Sequence, residues 1–157
     1  MNAPAHPPSN DVFSWPVRVY WEDTDGGGIV YYANYLKYFE RARTEWLRAL
    51  GVEQRKLQET TGGLFVVSEA NIKFLRSARL DDMLQVTARL GAMGRSSFSI
   101  EQQISLSSLS DTHGVADIAQ VLCTASVRVG WIDGTTRRPQ RMPASVVAAF
   151  PPVKGEG

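Results

Sequence analysis

The stretch from Ala33 to Leu50 constrains the fold of this chain more than any other. Tyr35, Leu36, Phe39, Ala42, Trp46, Ala49 and Leu50 recur at helical spacing and form a broad apolar band. Lys37, Arg41, Glu45 and Arg48 lie on the opposite side, three and four positions apart, where opposite charges pair. Gly51 follows where helices commonly close in the left-handed conformation. A single helix with so wide a band must be covered on most of its sides, and the rest of the chain has to supply the cover. Val17 to Trp21 reads as a strand with Val17, Val19 and Trp21 on one face. Four longer alternating runs come after the helix. Phe65 to Leu75 alternates through Ala70, Ile72 and Phe74, and Leu84 to Leu90 through Val86 and Ala88. Phe98 to Leu106 alternates through Ile100 and Ile104, and Ile118 to Ile132 through Val121, Cys123, Ala125, Val127, Val129 and Trp131. Leu80-Asp81-Asp82, Gly91 to Arg95 and Ser107 to Gly114 separate them as turns. Glu53 to Thr60 predicts a short second helix, and Pro143 opens a final one through Ala149. A strand, a long helix and then strands joined by short connections make an α+β fold with an antiparallel sheet. The economical arrangement is a curved sheet of about five strands wrapped around one long central helix.

At 157 residues, 43% of them hydrophobic and 21% charged, the chain reads as one ordinary globular domain over 15–150. The segments 1–14, which holds Pro4, Pro7 and Pro8, and 151–157 read as flexible tails. The formal net charge is +1 with no basic tract, which argues against nucleic acid as a partner. The first residues lack the charged start and apolar core of a signal peptide, and no apolar run approaches the ~18 residues of a bilayer span. A cytoplasmic location is therefore expected. A lone cysteine, Cys123, allows neither an internal disulfide nor a four-ligand Cys/His zinc site, and its apolar setting suits a buried, inert thiol. His6 lies in the tail and His113 in a turn, so no Cys-His or Ser-His pair is indicated.

Chemistry concentrates in Trp21-Glu22-Asp23-Thr24-Asp25-Gly26-Gly27-Gly28-Ile29-Val30-Tyr31-Tyr32-Ala33-Asn34-Tyr35. Acids and glycines also recur in plain turns. A calcium loop would place Gly27 and Asn34 at positions five and twelve, where ligating side chains are needed. No Lys-Ser or Lys-Thr closes the glycine run, so it is not a phosphate-binding P-loop. An acidic turn ahead of a helix can supply both halves of a hydrolytic site: a carboxylate as base or nucleophile, and free backbone N–H groups for a developing oxyanion.

The run from Asp23 to Tyr35, continued through Phe39-Glu40-Arg41-Ala42-Arg43-Thr44-Glu45, resembles the signature of the 4-hydroxybenzoyl-CoA thioesterase family. Ala78 to Leu84 and Pro139 to Phe150 resemble its acyl-CoA thioesterase branch associated with the Tol-Pal envelope system. The likeness spans about residues 16 to 150. It implies the hotdog fold and hydrolysis of an acyl-CoA to carboxylic acid and CoA, without metal or separate cofactor. The family's hydrolytic aspartate maps onto Asp25, its backbone oxyanion donor onto Tyr32, and an acyl-pocket residue onto Glu40. Asp23 is then a turn-capping or orienting residue, and Glu22 a solvent-facing one. The Tol-Pal branch commonly carries histidine where this chain has Tyr32; the backbone donor does not depend on that side chain, so the exchange bears on substrate, not on reaction. Gly94, Arg95, Ser96 and Ser97 match the region where relatives hold the CoA nucleotide, with Arg76, Arg79 and the Arg137-Arg138 pair as further cations.

The acyl end is expected to meet the central helix and Phe65, whose apolar ring favours aliphatic acyl groups over hydroxybenzoyl. A homodimer or homotetramer is implied, with edge-to-edge pairing of strands such as Ile118 to Ile132 and the site at the interface. An acyl carrier protein is an alternative thioester donor. The competing function is a non-hydrolytic acyl-binding adaptor of the envelope system. A hotdog dehydratase would want a histidine beside an acid, which neither His6 nor His113 provides.

Overall fold

The computed structural model describes residues 12–107 and 120–152; His6 and His113 lie outside them. The elements run β1 (Phe13–Arg18), a 3₁₀ turn (Trp21–Asp23), α1 (Asn34–Ala49), α2 (Gln54–Thr61), β2 (Gly63–Phe74), β3 (Met83–Met93), β4 (Ser97–Leu106), β5 (Val121–Asp133) and α3 (Ala144–Ala149). The five strands form one antiparallel sheet in the order β1-β3-β4-β5-β2. This is the expected α+β architecture with one long helix against the sheet. Among the described residues no helix is long and apolar enough to cross a membrane.

The alternation of the strands decides which face meets α1. Leu84, Val86 and Ala88 of β3, Ile100 and Ile104 of β4, and Val127 and Val129 of β5 are buried. They meet Tyr35, Tyr38, Phe39, Ala42, Trp46 and Leu47 of α1 in one core. Fully burying an aliphatic or aromatic side chain of this kind contributes roughly 1.5–3 kcal/mol, so the shared face outweighs any intrinsic helix preference. Gly51, at φ 88°, closes α1 as expected. Its N–H donates to Arg48 C=O at 3.0 Å, and that of Val52 to Leu47 C=O at 2.8 Å. Leu47 and Val52 are both buried, which completes a Schellman end with its apolar contact. Arg48 pairs with Glu45 on the outer face.

Several boundaries differ from expectation. The first strand spans Phe13–Arg18 instead of Val17 to Trp21, so Phe13 and Ser14 pair with Ala88 and Thr87 rather than belonging to a tail. The chain leaves the sheet after Arg18, and Trp21 sits in the 3₁₀ turn, exposed. Leu36 is also exposed, while Tyr38 and Leu47 take places in the core that the apolar band did not assign them. Ala70 and Phe74, expected on an inward face, are exposed on the edge strand β2. The strand β5, expected to pair between subunits, is internal, between β4 and β2. The hairpin after β3 begins later than Gly91, since that strand continues to Met93.

The loop after β5 is built around Asp133. Its carboxylate accepts the N–H groups of Thr136 (2.7 Å) and Thr135 (2.9 Å), which hold its pKa below the ordinary carboxylate value. Because the folded value is the lower one, this stabilisation is complete above the unfolded value of about 4 and is lost as pH falls through the folded value. The Thr135 and Thr136 amide resonances should therefore shift only below about pH 4. Asp133→Ala should abolish that acid-range change; an unaltered titration would show that the two amides report another group.

Candidate active site

The Asp/Gly segment folds back on itself just ahead of α1. Thr24 and Val30 form an isolated bridge, and Asp25 N–H donates to Ile29 C=O at 2.8 Å. Gly28 stands at φ 78°, a left-handed position that favours glycine. Asp25 Oδ1 accepts the Gly27 N–H at 2.7 Å. Among the described residues nothing bonds Oδ2, so one oxygen is held by the turn and the other is not. Asp23 is the structural member of the pair. Its carboxylate is buried and accepts the Tyr20 N–H at 2.8 Å. Its carbonyl accepts from Tyr31 N–H at 3.0 Å and from the buried Asn34 Nδ2 at 2.8 Å, which ties the turn to the first residue of α1. The Tyr38 hydroxyl is buried nearby without a hydrogen bond of acceptable geometry. Burial, and next the Asp23 carboxylate, push its pKa up.

The helix entry leaves donors open. Asn34, Tyr35 and Leu36 direct their N–H groups back to the carbonyls of Tyr31, Tyr32 and Ala33, and Val30 donates to Ala78. Among the described residues the N–H groups of Tyr32 and Ala33 have no acceptor. Tyr32 is thus an unpaired donor seven positions after Asp25, at the end of a helix where negative charge is favoured.

Glu40 and Phe65 line one cavity of about 160 Å³ between α1 and the sheet. Glu40 accepts the Thr44 hydroxyl at 2.9 Å. Phe65 packs against Phe98 at 5.6 Å and Trp131 at 4.9 Å between ring centroids. Gly94, Arg95, Ser96 and Ser97 form the β3–β4 hairpin, closed by Gly94 N–H on Ser97 C=O at 2.7 Å. Arg95 is exposed, and its carbonyl is anchored by Met142 N–H at 2.9 Å. Cys123 is buried, which pushes its thiol up to about 12, so it is no nucleophile near neutral pH.

Within one chain these parts are not assembled. Asp25, Tyr31 and Tyr32 are exposed, and Asp25 is not among the residues lining the cavity that holds Glu40 and Phe65. Tyr32 and Tyr35 meet Phe74, at the far end of β2, with ring centroids 5.8 Å apart in each pair. The Gly94 hairpin adjoins the near end, since Gly130 pairs with both Val66 and Ser97. From Phe65 to Phe74 the strand spans roughly 30 Å.

Two residues went unassigned by sequence. Gln102 is buried on the inward face of β4, and its Nε2 donates to Phe39 C=O (3.1 Å) and Thr87 C=O (3.2 Å). Arg43 Nη1 donates to Gln102 Oε1 at 3.0 Å. Burial lowers the Arg43 pKa, and Glu40 acts in the opposite direction. The signal for Gln102 was present: a polar residue in phase with Phe98, Ile100 and Ile104 has to find buried partners.

A sheet curled against one long helix, with an acidic turn at the helix entry, defines the hotdog class. The chain belongs to the thioesterase-like superfamily, whose model matches residues 19–150. It is 40% identical to an acyl-CoA thioesterase, YbgC, of Haemophilus influenzae over 138 residues, 88% of this chain and 93% of the relative. It is 38% identical to the acyl-CoA thioester hydrolase YbgC of Escherichia coli over 139 residues, 88% of this chain and 96% of that one. Among solved structures, a probable thioesterase from Bartonella henselae superposes with a TM-score of 0.71 at 33% identity, covering 85% of this chain and all of the other. A 1,4-dihydroxy-2-naphthoyl-CoA thioesterase from Synechocystis reaches 0.76 at 23% identity, covering 89% and 96%, and shows the shared fold.

Proposed function

We propose that this chain is an acyl-CoA thioester hydrolase in which Asp25 attacks the thioester carbon or activates water, while the Tyr32 N–H binds the oxyanion. The observation that carries this reading is the unpaired Tyr32 amide at the entry of α1, with the half-free Asp25 carboxylate in the turn before it. A thioester carbonyl is weakly stabilised by resonance, so one carboxylate and one well-placed donor suffice for acyl transfer to water. Removing such a donor typically costs about 3 kcal/mol of transition-state stabilisation. The relatives named YbgC add independent support for the acyl-CoA substrate.

A second copy completes the site. The edge strand β2 has an unpaired side, and Tyr32, Val67, Phe74 and Leu75 are large apolar groups left exposed on or beside it. An edge of this kind is a template for pairing with another chain. Antiparallel pairing of β2 with its copy about a two-fold axis brings the near end of one strand to the far end of the other. The Arg95 hairpin and the Phe65 pocket of one subunit then stand beside Asp25 and Tyr32 of the other. Arg95 holds the CoA phosphates there, and the pocket takes the acyl group.

The test is a thiol-release screen across aliphatic and aromatic acyl-CoAs, with acyl carrier protein thioesters in parallel. Release of CoA from at least one class is expected. Binding of acyl-CoA with no free thiol from any donor would reject hydrolysis in favour of an acyl-binding adaptor.

A further inference from the structure

We infer that Arg43 is a specificity-determining residue that selects acyl groups carrying an oxygen acceptor, keto or carboxylate, near their far end. The inference rests on the thioesterase reading and extends it to substrate class. The cavity that holds Glu40 and Phe65 is apolar on its sheet side, where Phe65, Phe98, Ile100 and Val129 line it. Arg43 stands in its helix wall. A guanidinium has five N–H donors, and the structure assigns one of them, from Nη1 to Gln102. Among the described residues no carboxylate lies within ion-pair distance of Arg43; the ion pairs are Arg48–Glu45 and Arg55–Glu59. Glu40, three positions earlier on α1, has its carboxylate engaged by Thr44.

Half-buried charge of this kind is costly unless it is paired and hydrogen-bonded. The other guanidinium nitrogens are not sealed in: Tyr38 Oη is the sole described side-chain polar atom that is both fully buried and unpartnered. They remain open to a ligand. Holding Gln102 takes a single donor, which leaves the remaining N–H groups to water or to a ligand oxygen in the cavity. A planar fork facing apolar walls fits an acyl group whose chain is hydrophobic and whose end accepts hydrogen bonds. The volume of about 160 Å³ is close to that of a cavity that takes a benzene-sized guest, which suits a short acyl chain.

The experiment compares hexanoyl-CoA, its terminal-keto analogue and adipoyl-CoA as substrates of the full-length protein. In the wild type, kcat/KM for at least one oxygenated acyl group should exceed that for hexanoyl by about tenfold or more. Preference for adipoyl alone would assign the selected group as a carboxylate; equal preference for the keto analogue would assign any acceptor oxygen. In Arg43→Met the oxygenated-to-plain ratio should fall to about one. A wild-type ratio near one, or a uniform loss across all three substrates in the variant, would overturn the proposal. If Arg43→Met does not fold, Arg43→Lys decides, since it keeps the charge but loses the fork: a reduced ratio upholds the inference and an unchanged one rejects it. Calorimetric binding of the same three compounds separates the two levels of the reading. Selective binding without thiol release would keep the pocket assignment and reject the hydrolase; unselective binding would reject the pocket assignment.

Discussion

Asp25→Asn should lower kcat/KM for thiol release at least about 100-fold while leaving acyl-CoA binding within a few-fold of wild type. The amide oxygen of asparagine still accepts the Gly27 N–H that the carboxylate accepts at 2.7 Å, so the turn keeps its shape. What disappears is the negative charge on the free oxygen, needed both to attack a carbonyl carbon and to take a proton from water. The side chain is exposed, so stability should change by no more than about 0.5 kcal/mol. Thiol-release kinetics and calorimetric binding on the same preparation measure both quantities. Full turnover in the variant would remove Asp25 from the mechanism. Single-turnover hydrolysis in heavy-oxygen water then divides the two roles: label appearing in the acid on the first turnover marks activated water. Label entering the Asp25 carboxylate on that turnover, with release of unlabelled acid, marks attack by the side chain followed by opening of the anhydride by water at the Asp25 carbonyl.

Phe98→Ala should cost about 3–5 kcal/mol in urea unfolding, the largest effect on stability that the core predicts. Phe98 is buried where four elements meet. Its ring centroid lies 5.6 Å from that of Phe65 on β2 and 4.7 Å from that of Phe150, just after α3. Phe150 in turn meets Trp46 of α1 at 5.5 Å. Truncation leaves a void that the sheet cannot close, because Phe98 is hydrogen-bonded into β4 between β3 and β5. Against a total of 5–15 kcal/mol for a natural domain, that loss leaves little margin. The same ring walls the cavity proposed to take the acyl group, so any folded variant should accept bulkier acyl groups. A loss below about 1 kcal/mol would mean that Phe98 does not carry this junction.

Much of the architecture was legible because helices and strands leave periodic traces. The helix was read as Ala33 to Leu50 and is Asn34–Ala49; Leu84, Val86 and Ala88 were placed on an inward face and are buried. The errors fall where periodicity ends. Trp21 continued the alternation of Val17 and Val19, but the chain turns out of the sheet after Arg18. Leu36 lay inside the apolar band yet faces outward. The Asp/Gly motif identified the turn, but its spacing did not announce that Asp23 would be buried under the helix entry and Asp25 exposed. No spacing rule announced that Arg43 and Gln102, fifty-nine positions apart, would bond.

Local chemistry thus settled which segments are helix and which are strand and where the turn lies, because neighbours in sequence decide those matters. The strand order β1-β3-β4-β5-β2 came only from the packed structure. That order makes β2 an edge, puts Tyr32 and the Arg95 hairpin at opposite ends of it, and brings Arg43 to an apolar pocket. Contacts between distant residues follow from how faces fit together in space, and such fitting has no period along the chain.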